Sequence, residues 1–68
     1  MNKQLLKAHI VKNSDTQEAL AAALGITLSR LSVRINGRGT EFRQSEIATI
    51  KNRYNLSDED VANIFFNE

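Results

Sequence analysis

Arginine dominates the part of this chain where chemistry is concentrated. All five arginines, Arg30, Arg34, Arg38, Arg43 and Arg53, fall between residues 30 and 53. The planar guanidinium fork matches phosphate geometry better than the point charge of lysine does. Around the first two arginines lie Ser29, Ser32 and Val33, in the stretch "LSRLSVR" at residues 28–34. A serine hydroxyl donates to or accepts from any base edge, valine methyls pack on a thymine methyl, and arginine bridges a guanine edge or holds a phosphate. These residue types suit recognition of a polyanion.

Catalysis lacks its usual parts. The chain has no cysteine nucleophile, and its one histidine, His9, stands alone on a helical stretch. The carboxylates sit at helix starts rather than in paired clefts, and neither a glycine-rich phosphate loop nor a metal-ligand cluster is present. The expectation is a protein that is not an enzyme and needs no cofactor, metal or small-molecule substrate. Four of the eight acids, Asp58, Glu59, Asp60 and Glu68, gather at the C-terminal end. The first three fall in the first turn of a helix, where the helix dipole favours negative charge, and structure alone accounts for them.

These groups must be positioned by a small scaffold. With 68 residues the chain is one domain, residues 1–68. A domain of this size buries only about 60% of the surface its unfolded chain exposes, so the core must be economical. The absence of cysteine excludes disulfides and thiolate metal sites and suits a reducing cytoplasm. There is no proline and there are three glycines, which argues against long irregular loops, while 41% hydrophobic residues suffice for a folded domain. No apolar run approaches the roughly 18 residues of a membrane span. The start "MNKQLLKAHIVKN" lacks the continuous apolar stretch of a signal peptide. A soluble, cytoplasmic protein with no membrane partner is expected. The net charge of +1 is silent about partners; the clustering of arginine is not.

Periodicity is helical throughout, and the fold class expected is all-α, a compact five-helix domain. Residues 2–12 carry Leu6 and Ile10 on one stripe with Leu5 adjacent. "NSD" breaks that helix. Either Asp15 or Thr16 can cap the second, and Asp15 with Glu18 resembles a capping box. The second helix runs to about Ala23, with Leu20 and Leu24 inward and small residues at 19 and 21–23 that allow close helix approach. Gly25 ends it, because glycine adopts the left-handed conformation cheaply. Thr27 is a fitting N-cap for a third helix over 28–35. "NGRG" at 36–39 ends that helix with turn chemistry. Phe42 then plugs the core from a loop. A fourth helix, about 44–54, aligns Ile47, Ile50 and Tyr54. Ser57 caps a fifth with Val61, Ile64 and Phe65 inward.

On a helical wheel centred on Leu31, Ile35 and Leu28 fall beside it on the buried side. Ser29 and Val33 point directly away, flanked by Ser32 and Arg30. An ordinary solvated helix carries mixed charges on such a face. This one has no acid and is edged with cations, which suits the DNA major groove.

At this point a family likeness emerges. "TQEALAAALGIT" followed by "LSRLSVRINGR" resembles the helix-turn-helix of lambda-repressor-like DNA-binding domains, the group of phage Cro and repressor proteins. The resemblance rests on Gln17 opening the second helix, Ala21 four residues before Gly25, Leu31 at the buried position of the third helix, and Asn36-Gly37 after it. With five helices it covers essentially the whole chain. It implies a helix-turn-helix made by helices 2 and 3, and a transcriptional regulator reading double-stranded operator DNA in a bacterial host cell. Gln17 matches a phosphate-contacting glutamine. Thr27, Leu28, Ser29, Ser32 and Val33 match positions facing base edges or the groove wall. Asn36 and Arg38 match the backbone-contacting loop, and Arg43 lies near a further phosphate-contacting position. Arg30 and Arg34, at the edges of the recognition helix, are expected on phosphates as well.

Two departures from the family pattern carry expectations of their own. Arg34 stands where the family often buries an aliphatic residue, which predicts a slightly rotated or more tightly ended third helix. The base-facing set lacks the glutamines and asparagines that read adenine, so DNA shape carries more of the specificity. Because the chain ends just after the fifth helix, a small Cro-like protein is the better match than a full-length repressor. One short recognition helix reads few base pairs, so a weak homodimer across a palindrome is expected. Phe66, turned away from Val61, Ile64 and Phe65, is the candidate interface residue. The alternative is a helical protein–protein module, antirepressor-like or antitoxin-like, on the same fold, since fold does not dictate function.

Overall fold

In a computed structural model of the chain, residues 1–37 and 41–66 are described. Five helices follow one another: α1 (Lys3–Lys12), α2 (Gln17–Leu24), α3 (Leu28–Ile35), α4 (Gln44–Arg53) and α5 (Asp58–Phe65). Among the described residues there is no strand. The molecule is all-α and measures 27 × 26 × 21 Å.

Each helix sends one large side chain wholly into the centre: Leu6, Leu20, Leu31, Ile50 and Ile64 are fully buried. Ile10, Ala21, Ile35, Tyr54 and Leu56 complete the core, and Leu5, Leu24, Ile26, Phe42, Val61 and Phe65 pack partly against it. Burying a leucine or isoleucine contributes about 1.5–3 kcal/mol, so five such anchors supply much of what so short a chain can muster. Phe42 does enter from the segment before α4, its ring edge-on to Phe65 with centroids 5.5 Å apart. Leu56, in the α4–α5 turn, belongs to the core although it sits between helical stripes in sequence.

The turns explain the tight packing. α1, α2 and α4 end in the same way, with Ser14, Gly25 and Asn55 in left-handed conformation at φ 54°, 71° and 51°. After each, the next residue's N–H donates back into the helix: Asp15 to Ile10, Ile26 to Ala21 and Leu56 to Lys51, at 3.0, 3.0 and 2.9 Å. This backbone closure satisfies carbonyls at the helix end and turns the chain sharply. One residue later comes the N-cap of the following helix. Thr16 accepts from the Ala19 N–H at 3.1 Å, Thr27 from Arg30 at 3.2 Å and Ser57 from Asp60 at 3.0 Å. Thr16, not Asp15, is therefore the cap of α2, and the expected Asp15–Glu18 box does not form. Asp15 is used otherwise. It accepts from Arg53 Nε and Nη2 at 2.8 and 3.0 Å and from the Tyr54 hydroxyl at 2.6 Å, tying the α1–α2 turn to the end of α4. Asn2 caps α1 through its side chain, and its N–H donates to the Ile64 carbonyl at 2.7 Å, joining the start of the chain to the end of α5.

Candidate nucleic-acid interface

α3 follows its N-cap Thr27 and packs against α2 across the turn closed by Gly25. Its inward side holds Leu31, Arg34 and Ile35, all buried. Its outward side presents Leu28, Ser29, Arg30, Ser32 and Val33, all exposed. Leu28 is 46% exposed and so belongs to the outer face rather than beside Leu31. The outer face is thus short and free of acids, with two hydroxyls and two apolar side chains beside one guanidinium.

The largest departure from expectation is Arg34. It is only 6% exposed, so its guanidinium is not at the surface to meet a phosphate. Position 34 lies three residues beyond Leu31, on the same side of the helix. The charge is accommodated there by a carboxylate from α4: Arg34 Nη1 donates to Glu46 Oε2 at 2.6 Å, with both side chains at least nine-tenths buried. The other oxygen of that carboxylate, Oε1, accepts from the Arg43 N–H at 2.8 Å, at the start of α4. Arg34 Nε is buried and has no hydrogen-bond partner among the described residues. α3 remains helical to Ile35, so the arginine fills an inward position without shortening the helix.

Arg53 is likewise occupied, by Asp15. The arginine cluster of the sequence therefore divides in two. Arg34 and Arg53 hold the fold together, while Arg30 and Arg43 are exposed and pair with no carboxylate among the described residues. A shallow hollow joins the exposed pair: Ser29, Arg30, Val33, Arg34 and Arg43 line it. α3 supplies one wall and the start of α4 the other.

The remaining candidates lie around this hollow or apart from it. Asn36 is exposed at the end of α3, and its Nδ2 donates to Ser32 Oγ at 3.3 Å, which leaves the Ser32 O–H free to donate outward. Thr27 is exposed, but its hydroxyl oxygen already accepts as the cap of α3. Gln17 is the first residue of α2 and is partly buried. Arg38 lies outside the described residues. Phe66 follows α5 and is 67% exposed, as its position on the wheel predicts.

Two further charge arrangements lie away from α3. Hydrogen bonds from Arg53 and then from Tyr54 hold the Asp15 carboxyl well below the usual carboxylate range, and burial followed by the bond to Asp15 pushes the Tyr54 hydroxyl well above its own. In the acidic first turn of α5, Lys51 pairs with Asp58, and Asp60 accepts from the Ser57 N–H at 3.2 Å. Both contacts lower the carboxyls concerned. Among the described residues no group of three or more His, Cys, Asp or Glu is placed to hold a metal ion. No helix among them is long and apolar enough to cross a membrane.

The arrangement offers hydroxyl and guanidinium donors on a convex helical face with a cationic hollow at its side. The family model "Protein of unknown function (DUF739)" matches residues 2–68, so the chain belongs to that family. No curated protein and no solved structure matches it.

Proposed function

We propose that this DUF739 member is a sequence-specific DNA-binding regulator of the Cro/repressor type, a homodimer that lays α3 in the major groove of operator DNA. The observation that carries this reading is the outer face of α3. Ser29, Ser32 and Val33 stand exposed on a face of α3 that carries no acid, and Arg30 and Arg43 flank them, pairing with no carboxylate among the described residues, while Arg34 and Arg53 are each held by a carboxylate. Base edges would meet the serines and the valine, and phosphates the two arginines. Phosphate contact of this kind releases counterions, so affinity falls with salt by a slope of about −0.9 per neutralised phosphate. The dimer draws support from the apolar side chains exposed where the chain start meets α5: Met1, 42% exposed, and Phe66.

The test is selection of bound sequences from random duplex DNA by the purified protein. A palindromic motif with half-sites about 34 Å apart is expected. Arg30→Ala and Arg43→Ala should each weaken binding alike on all sequences and reduce the salt slope by about one unit. A flat selection with salt-insensitive binding overturns the proposal. It would favour a second reading suggested by the exposure of Leu28 and Val33 on α3, a helical face that docks on another protein.

A further inference from the structure

The Glu46 carboxylate touches both walls of the hollow. Oε2 receives Arg34 of α3 at 2.6 Å, and Oε1 receives the backbone N–H of Arg43 at 2.8 Å. Both arginines line the hollow. Stability is a poor explanation for this arrangement. Apolar side chains of similar volume are often as stable as a buried ion pair or more so. Here the pair also leaves Arg34 Nε buried without an acceptor among the described residues, which carries its own desolvation cost. What a charged hydrogen bond supplies, and an apolar contact does not, is direction. An aliphatic residue at position 34 would set how far α3 lies from α4. A guanidinium held at one oxygen of a carboxylate, whose other oxygen is held by the α4 backbone, also restricts the roll of α3 about its axis. That roll decides where Ser29, Ser32 and Val33 point, and the same carboxylate decides where Arg43 starts.

We infer that Arg34 and Glu46 are positioning residues for sequence readout: they touch no DNA, and they set the register between the base-facing side of α3 and the phosphate-facing Arg43. The inference rests on the DNA-binding reading above. It separates two properties that direct contacts would join. Affinity for DNA in general comes from the charges of Arg30 and Arg43, which are exposed with or without the pair. Discrimination among sequences comes from the roll of α3, which the pair controls.

The experiment compares the wild-type chain with the double variant Arg34→Met/Glu46→Leu and with Arg34→Lys, which keeps the charge but loses the planar fork. Each protein is first melted by circular dichroism. Binding is then measured, well below the melting temperature, on the wild-type selected duplex and on random duplex of equal length. The double variant loses the acceptor of the Arg43 N–H as well as the ion pair, so it is expected to melt somewhat below wild type but to remain folded. Its preference for the selected over the random duplex should fall about tenfold, the scale of a single mismatched base pair, with affinity for random duplex and its salt slope unchanged. Arg34→Lys should lose part of that preference; should the double variant not fold, this variant decides alone. A variant that folds and keeps the wild-type preference within about twofold, well inside the effect of one mismatch, overturns the inference and leaves DNA binding standing. A wild-type chain that selects no sequence overturns the DNA reading itself, and the inference with it.

Discussion

The two ends of α4 hold their neighbours by opposite means. At its start, Glu46 meets Arg34 in a nearly dry contact, with the side chains 10% and 7% exposed. At its end, Arg53 is about one-third exposed, and it shares Asp15 with the Tyr54 hydroxyl. The first tie is a single short bond from Arg34, whose Nε is buried without a partner among the described residues. The second is a three-bond network around one carboxylate, whose side chain is 11% exposed while its partner Arg53 is open to solvent. Inside a protein an unpaired charge is expensive, so the first tie is hard to break from one side. Where solvent can replace a lost partner, each bond is worth less. The difference separates two roles. The wet tie fastens the α1–α2 turn, far along α4 from the candidate interface, whereas the dry one fastens the helix that carries it.

Removing one partner from the dry tie should have the largest effect. Glu46→Ala leaves the buried Arg34 guanidinium without its carboxylate and should cost about 3–5 kcal/mol in a urea melt; a loss below about 1 kcal/mol would put this tie in the class of surface ion pairs. At the wet tie, Asp15→Ala leaves the buried Tyr54 hydroxyl without its acceptor and should cost about 1–2 kcal/mol. If it costs as much as Glu46→Ala, the contrast between the two ends of α4 fails.

Acid sharpens the same comparison. The folded state holds the Asp15 carboxyl below its ordinary range, and so binds that proton more weakly than the unfolded chain does. The resulting stability is complete above about pH 4, the unfolded value, and is lost progressively as the pH falls below it. Melting temperature followed downward from neutral pH should therefore decline more steeply for wild type than for Asp15→Ala. Parallel curves would show that Asp15 is not linked to folding. Tyr54 has the opposite sign: its raised value favours the neutral hydroxyl, and that contribution fades as the pH climbs past about 10.

The smallest effect is expected from a third tie, Lys51 with Asp58, where the carboxylate is 95% exposed. Solvent screens such a pair and side-chain entropy opposes it. Lys51→Ala should leave the melting temperature within experimental error. A measurable drop would mean that exposure is a poor guide to the ranking of these ties.

Much of the fold was legible in the residues themselves. Helical periodicity marks all five elements to within a residue or two, because each carries its own apolar stripe and its own punctuation. The exposed face of α3 was readable too: Ser29, Arg30, Ser32 and Val33 fall outward once Leu31 is placed inward. Local chemistry sufficed for the Thr27 and Ser57 caps, which bind N–H groups three residues away.

The turns show where that local information stops. "SDT", "GIT" and "NLS" at residues 14–16, 25–27 and 55–57 form one structure, a left-handed residue, an inward residue and a cap. Only the second displays the expected glycine; serine and asparagine adopt the same φ because the helix end and the inward residue together compensate the strain. The inward residue is apolar in Ile26 and Leu56 but charged in Asp15, and its partners Arg53 and Tyr54 lie 38 and 39 residues away. The fate of the arginines is of the same kind. Nothing near Arg34 in the chain distinguishes it from Arg30, since both occupy one short helix. Helix α4 brings Glu46 against one of them and leaves the other in water. Which residues are helical, and where each helix stops, follows from residues close together in the chain, because periodicity and capping act within a few residues. Which charges are neutralised depends on the packing of helices, because these ion pairs join groups that lie far apart in the chain.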